Sequence, residues 1–422
     1  MLNKAPRGTK DILPKEVYKW HFVEDKFKEV CSIFRYEEIR TPVFEHTELF
    51  ERGVGDTTDI VQKEMYSFKD KGDRSLTLKP EGTAGVIRAF IENKMYSDVQ
   101  PTKFFYMTPC FRYERPQAGR QREFHQFGIE ALGSDTPSLD AEVISLAIQF
   151  FSELGIEDLI VSLNSVGCPN CRKEYDKVLR AYLESKKEVL CETCNERMVK
   201  NPMRVIDCKV PTCKENIKDI PYMLDYLCDD CREHFELLQK YLEEMNINYK
   251  IDKTIVRGLD YYRKTAFEII ADDLGAQSTV CAGGRYDGLV EQIGGPKGIS
   301  GIGFGLGVER LLLLLENKNN EIITPDGADI FIVTIGDEAK LKSFGILSEL
   351  RKNHITADKD HVDRSVKAQF KYSDKVNAKY TVVIGEDELK NDYVSLKNMN
   401  TSEQKNIKLS NLVEELKNLL NK

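Results

Sequence analysis

Four arginines crowd into Arg112-Tyr113-Glu114-Arg115-Pro116-Gln117-Ala118-Gly119-Arg120-Gln121-Arg122, between two runs that read as strands. Guanidinium forks match phosphate oxygens two at a time, and their charge does not titrate near neutral pH. The loop is therefore a candidate phosphate cradle, although a charge run taken alone is equally an exposed hairpin tip. Further on, Gly301-Ile302-Gly303-Phe304-Gly305-Leu306-Gly307 places glycine at every second position. Strand side chains alternate between faces, so one face would carry no side chain and offer a flat slot for a planar ring. Ile302, Phe304 and Leu306 fill the other face, and Arg310 follows as a helix opens. Close strand packing would use the same pattern. A dinucleotide fold is disfavoured, because no strand-to-helix glycine turn with a downstream acid accompanies it.

Two acids stand near these strands, Glu81 in Lys79-Pro80-Glu81-Gly82-Thr83-Ala84 and Glu130 at the end of Gln126-Phe127-Gly128-Ile129-Glu130. Paired carboxylates serve as acid and base in glycosidases, and they equally grip a cationic amine and an N–H donor. Spacing alone leaves both open. Two further runs, Arg257-Gly258-Leu259-Asp260-Tyr261-Tyr262 and Ala282-Gly283-Gly284-Arg285-Tyr286-Asp287-Gly288-Leu289, set hydrogen-bonding side chains beside closely approaching backbone.

Of 11 cysteines, eight form four close pairs: Cys168 and Cys171, Cys191 and Cys194, Cys208 and Cys213, Cys228 and Cys231. The first two pairs meet the spacing of a zinc ribbon, and eight thiolates suffice for two tetrahedral sites. Structural Zn2+ is the expectation for this cluster, against buried free thiols.

The elements that must position these residues read as α+β. An amphipathic helix covers 17–34, a strand interrupted by Thr41-Pro42 covers 36–44, and strands at 103–108 and 124–132 flank the arginine loop. A helix at 140–154 precedes a cysteine-rich insertion at 167–235. Strands return at 261–271, 278–283 and 299–304, closed by a helix at 308–317. A polar linker at 318–328 separates a first domain, 1–317, from a second, 329–422, which alternates strand (329–335), helix (339–352), helix (364–376), strand (380–384) and helix (411–420).

Length suits two or three domains, and 41% hydrophobic with 31% charged residues suits a globular chain. No apolar run approaches a membrane span, and the N-terminus lacks the apolar core of a signal peptide. A cytoplasmic protein with no membrane partner is the expectation. The net charge of −8 is uneven: from Asp329 onward 16 Lys and Arg meet 15 Asp and Glu, which leaves −9 for the first 328 residues. Broad non-specific nucleic-acid binding is disfavoured, and local recognition by a few basic residues is not.

Taken together and in order, these segments resemble the histidyl-tRNA synthetases over nearly the whole chain. Glu38-Ile39-Arg40-Thr41-Pro42 is similar to the first class II motif, the arginine loop to the second and Gly301 to Leu311 to the third. The runs Arg257 to Tyr262 and Ala282 to Leu289 are similar to the histidine-specific ones. The resemblance implies a class II catalytic domain with a six- or seven-stranded antiparallel sheet and a helical insertion, a C-terminal α/β anticodon-binding domain, and a homodimer formed through the first helix and first motif. It implies ligation of L-histidine to histidine tRNA through a histidyl-adenylate, with ATP entering as its Mg2+ complex. Glu81 and Thr83, with Gln126, would hold the α-amino group, Glu130 and Tyr261 would read the imidazole, and Gly82, Tyr262 and Arg257 would complete the histidine site. Arg112, Arg120 and Arg310 would hold the phosphates, Arg257 would sit at the reacting phosphate, and Arg115, Gln117 and Arg122 would meet the tRNA acceptor end. The best-known members lack the cysteine cluster. A related architecture, the non-charging regulatory subunit of ATP phosphoribosyltransferase, shares the catalytic fold without the anticodon domain and is the alternative.

Overall fold

A computed structural model describes residues 3–55, 58–157, 159–259, 261–271, 279–318, 322, 324 and 327–421. The chain divides into two compact units, 1–322 and 323–422. In the first, the order is α1 (Pro14–Ile33), β1 (Glu37–Glu38), β2 (Phe44–His46), α2 (Thr47–Val54), β3 (Tyr66–Lys69), β4 (Ser75–Leu78), α3 (Thr83–Glu92), β5 (Thr102–Phe111), β6 (Glu123–Leu132), α4 (Pro137–Glu153) and β7 (Leu159–Ser165). Four helices then leave the sheet: α5 (Pro169–Glu184), α6 (Glu192–Lys200), α7 (Pro211–Asn216) and α8 (Asp229–Glu244). The chain returns through β8 (Tyr249–Ile251), β9 (Arg263–Ala271), β10 (Thr279–Arg285), α9 (Leu289–Gln292), β11 (Gly301–Gly307) and α10 (Val308–Asn317).

The main sheet has eight strands in the order β1-β5-β6-β11-β10-β9-β7-β8. Its six inner strands pair antiparallel, and β1 and β8 add in parallel at the two edges. The resemblance implied six or seven strands; the short edge pieces make the count eight. The interrupted strand expected at 36–44 is two strands in two sheets, β1 in this one and β2 in a three-stranded sheet with β4 and β3. Thr41-Pro42 marks the crossing, where a proline lacks the amide a ladder needs. The strands flanking the arginine loop are longer than their sequence suggested, because Pro109 and Cys110 continue the β5–β6 ladder to Phe111 and Glu123.

Helices α1, α4 and α10 pack on one face of the sheet in a single core around Phe27, Phe127, Phe150 and Phe304. The ring of Phe27 stacks on Phe127 at 4.8 Å and meets Phe150 edge-on at 5.1 Å. On the opposite face α3 and α9 pack over Phe104, Tyr106, Leu132 and Ala266, and the rest of that face stays open. One ionic node joins these layers. Asp140 of α4, fully buried, accepts Arg285 of β10, His234 of α8 at 2.8 Å and Thr265 of β9 at 2.5 Å. Burial alone would raise the carboxyl's pKa, but Arg285 and His234 hold it below the ordinary value.

The second unit runs β12 (Ile330–Thr334), α11 (Asp337–Lys352), β13 (Ala357–Lys359), α12 (Val366–Lys375), β14 (Tyr380–Ile384), α13 (Glu386–Lys390), β15 (Tyr393–Asn398), β16 (Gln404–Lys408) and α14 (Leu412–Leu420). Its five-stranded sheet, β13-β12-β14-β15-β16, is parallel on one side of β14 and antiparallel on the other. Strands β13, β15 and β16 have no counterpart in the sequence reading. The apolar residues that bury from the last two are Val394, Leu396 and Ile407, too few to announce them. Parts of the expected linker, including Asn319, Asn320, Pro325 and Asp326, lie outside the described residues, as does Ser278.

Asp140→Ala strands the buried guanidinium of Arg285, and removing one partner of such a pair costs about 3–5 kcal/mol. A denaturant melt of the full chain should show its midpoint falling accordingly; an unchanged midpoint would remove the node from the list of major contributors.

Candidate active site

The open face of the main sheet is the floor of a cleft of about 600 Å³. Residues directly opposite in an antiparallel sheet share a face, so register alone assembles the floor. Glu130 lies opposite Gly303, Gly128 opposite Gly305, and Gln126 opposite Gly307. On the far side of β11, Gly303 faces Gly284 and Gly305 faces Ala282, which in turn faces Glu268 of β9. Gly303 is obligatory where it meets the acid, because the Ile129 carbonyl crowds it as well. A Cβ on Gly303 would strike the Glu130 carboxylate, and one on Gly305 the Gln126 amide. On the reverse face Ile302, Phe304 and Leu306 are buried in the core.

Of the residues singled out in the sequence, Glu81, Thr83, Gln126, Glu130, Arg257, Tyr261, Tyr262, Arg112, Arg120 and Arg310 all line this one cleft. Gly82 sits at its edge and donates its amide to the Gln126 side-chain oxygen at 2.9 Å. Arg115, Gln117 and Arg122 do not line it. Arg115 and Gln117 are exposed on the loop, and the Arg122 guanidinium lies 3.9 Å from the centre of the Tyr113 ring. Asp260 lies outside the described residues.

The acids are held in different ways. Glu81 accepts the amides of Thr83 at 2.7 Å and Ala84 at 2.8 Å, at the first turn of α3. Burial raises its pKa even so. Glu130 accepts hydroxyls from Tyr286 at 2.5 Å and Tyr106 at 3.2 Å. Burial pushes its pKa up to about 8 against these hydrogen bonds, and the charge of Glu81 adds to the rise. Glu130 thus holds its proton more tightly than an ordinary carboxyl, and a cationic or N–H-bearing ligand would favour its carboxylate form.

The arginines are positioned from outside the floor. Arg112 donates from Nε to the Pro80 carbonyl at 2.8 Å and lies against the Phe124 ring. Arg120 pairs with Glu114 at 3.2 Å. Arg257 pairs with Glu268 at 2.7 Å and stacks over Tyr262. Arg310 donates to the Thr279 carbonyl at 2.6 Å. The sequence reading missed Tyr106 and Glu268. Their signal was periodicity: Tyr106 faces Gly128 across the ladder, and Glu268 is the lone acid in an apolar strand on the floor's face.

Residues 8–311 match the family model described as histidyl-tRNA synthetase, and residues 329–419 match one described as an anticodon-binding domain. The chain belongs to the histidyl-tRNA synthetase family. Among relatives of this family, the histidine–tRNA ligase of Clostridioides difficile (strain 630) is 75% identical over 420 residues, spanning 100% of both chains. That of Alkaliphilus oremlandii is 58% identical over 420 residues, covering 100% of this chain and 99% of that one. The apo histidyl-tRNA synthetase of S. aureus superposes with a TM-score of 0.84 at 42% identity, over 98% of this chain and 99% of its own. A structure from Bacillus halodurans C, titled as an ATP phosphoribosyltransferase regulatory subunit/histidyl-tRNA synthetase, superposes with a TM-score of 0.64 at 21% identity, over 91% and 98% of the two chains, and shows the fold alone. The regulatory-subunit alternative gains nothing from it. Among the described residues no helix is long and apolar enough to cross a membrane.

The eight clustered cysteines gather into two quartets, but not in the ribbon pairing suggested by sequence. Cys168 and Cys171 meet Cys228 and Cys231, while Cys191 and Cys194 meet Cys208 and Cys213. The ribbon spacing misled because α5 lies between the first two pairs and carries them apart, whereas α8 brings the last pair back beside the first. Sulfur separations of 3.6, 3.9 and 4.0 Å within the quartets match the edge of about 3.8 Å that four sulfurs at ~2.3 Å from a tetrahedral ion define.

Because Glu130 has a folded pKa above its unfolded one, its stabilising share is complete below about pH 4.5 and is lost as pH rises through about 8. Glu130→Gln removes that loss. The melting-temperature difference between variant and parent, measured without ligand, should therefore grow in the variant's favour from pH 5 to 8; parallel curves would contradict the assignment.

Proposed function

We propose that this cleft binds L-histidine and ATP side by side, joins them as histidyl-adenylate, and passes the histidine to its tRNA. The observation that carries the residue roles is the meeting of two buried carboxylates with four arginines across one glycine floor. Glu81 and Thr83, with Gln126, receive the α-ammonium group, and Gly82 holds Gln126 in place. Glu130 and Tyr261 read the imidazole, with Tyr262 behind them. Arg112 meets the α-phosphate, Arg120 and Arg310 the outer phosphates, and Arg257 the phosphoryl group that reacts. ATP enters as its Mg2+ complex.

The histidine carboxylate is already an anion at pH 7, so activation requires no general base. Its oxygen bonds to the α-phosphorus as the bond to the bridging oxygen breaks and diphosphate departs. Fixed guanidinium groups meet the charge that spreads over the α-phosphoryl oxygens. The terminal ribose hydroxyl of tRNA then attacks the mixed anhydride and AMP leaves. A side chain gripped at both ring nitrogens rejects apolar analogues by about 10⁴ to 10⁵. On the exposed loop, Arg115, Gln117 and Arg122 suit the acceptor end of tRNA, and the second unit suits the anticodon. Exposed apolar Ile33, Val43 and Phe44, at the end of α1 and just past the first motif, support a homodimer formed there.

The two quartets suit structural Zn2+, since four thiolates favour a soft tetrahedral ion and leave no position open for substrate. Elemental analysis of the purified full-length chain should find two zinc ions; none, with eight reactive thiols, would sink that reading. For the activity, histidine-dependent exchange of diphosphate into ATP is the test. Arg257→Ala and Arg310→Ala should each lower kcat by about 10² to 10³, and absence of exchange in the parent chain would overturn the function.

A further inference from the structure

The cysteine module faces the cleft through three arginines that its own chemistry brings together. Arg172 follows Cys171 directly, and Arg197 and Arg204 lie between Cys194 and Cys208. Arg172 donates from Nη2 to the Tyr262 carbonyl at 2.6 Å and from Nε to the Val166 carbonyl at 3.0 Å. Arg204 donates from Nη1 to the Gly258 carbonyl at 2.8 Å. Arg197 braces Arg204 by donating to its carbonyl at 3.3 Å, and both guanidinium groups approach Asp59, at 3.3 and 3.7 Å. The run that carries Arg257, Tyr261 and Tyr262 is therefore gripped by its backbone near both ends, while its side chains face the cleft.

The grip is needed because the run precedes the ladder, which begins at Arg263. What holds the arginines in turn is the module, a small body with a core of its own around Tyr175, Leu179, Val205 and Cys213. Bodies of this size gain much of their stability from a metal or another cross-link. One quartet joins the module's entry before α5 to its exit at α8. The other closes the loop from α6 to α7 that bears Arg204.

We propose that the two metal-held quartets form a clamp on the histidine-reading run, in which Arg172 and Arg204 are positioning residues that set the affinity for histidine. The inference rests on the ligase reading and on Zn2+ in the quartets. The ions take no part in the reaction. They fix the two arginines, and the arginines fix the backbone from which Arg257, Tyr261 and Tyr262 project.

The test uses full-length protein, elemental analysis and diphosphate exchange titrated separately with histidine and ATP. Arg204→Ala and Arg172→Ala should each retain two zinc ions, raise the histidine KM about ten- to hundredfold as a charged hydrogen bond is lost, and leave the ATP KM within about twofold. Arg204→Lys should recover part of the loss. Cys191→Ser with Cys208→Ser should carry one zinc and show the same split. If the parent chain holds no zinc, the metal reading falls and takes the clamp with it. If it holds two and the arginine variants keep the parent's histidine KM, the clamp alone is overturned. A parent chain without histidine-dependent exchange would defeat the ligase reading instead.

Discussion

The buried carboxylate of Asp140 is the contact on which the catalytic unit turns. It ties a core helix to two adjacent strands and to the helix by which the cysteine module rejoins the sheet. A charge taken fully out of water survives only if its partners satisfy it, and here a guanidinium, an imidazole and a hydroxyl all do. Each partner comes from a different element, so none can shift without exposing the others to an unpaired charge. Arg285, one residue before Tyr286, thereby sets the end of the strand from which Tyr286 reaches Glu130.

The same logic, inverted, operates in the cleft. Among the described residues no cationic side chain is bonded to Glu81 or Glu130, which are buried and answered by amides and by hydroxyls. Their raised proton affinities record an electrostatic demand that the side chains around them leave unmet. A ligand that brings an ammonium group and a ring N–H meets that demand, while one lacking them leaves two buried acids to be neutralised by protons. Selectivity thus begins as a property of the unliganded protein, before any contact is made.

Much of this was legible in the residues. The glycine alternation in residues 301–307 marks a strand with one bare face, and the structure gives that strand and that face. The helix at 308–317 and the strand at 380–384 fall where periodicity put them. Of the loop's arginines, Arg112 and Arg120 line the cleft, Arg115 is exposed and Arg122 lies on the Tyr113 ring, a division that a list of charges cannot foresee because it depends on partners such as the Pro80 carbonyl, 32 residues from Arg112. The cysteines show the limit most sharply. Their pair spacing is local and readable, but which pair meets which depends on where α5 and α8 lie, and that is fixed by packing across some sixty residues. Likewise the run from Ala282 to Leu289 offers Arg285 only as a hydrogen-bonding side chain beside close backbone, and the structure buries it in the core. Nothing local distinguishes the two faces of so glycine-rich a strand, and Asp140, its partner, is 145 residues away.

The bare floor has one more consequence, for how this enzyme can change. Any single-base substitution in a glycine codon that alters the amino acid adds a Cβ, and at Gly303 that atom runs into the Ile129 carbonyl as well as the Glu130 carboxylate and has nowhere to go. A compound that lies flat on this strand therefore rests on the part of the cleft least open to one-step genetic escape. Gly307, where a Cβ would meet nothing within 4 Å, is the exception. Resistance to such a compound would be sought first there and in the arginine loop, where side chains can be exchanged without displacing a buried carboxylate.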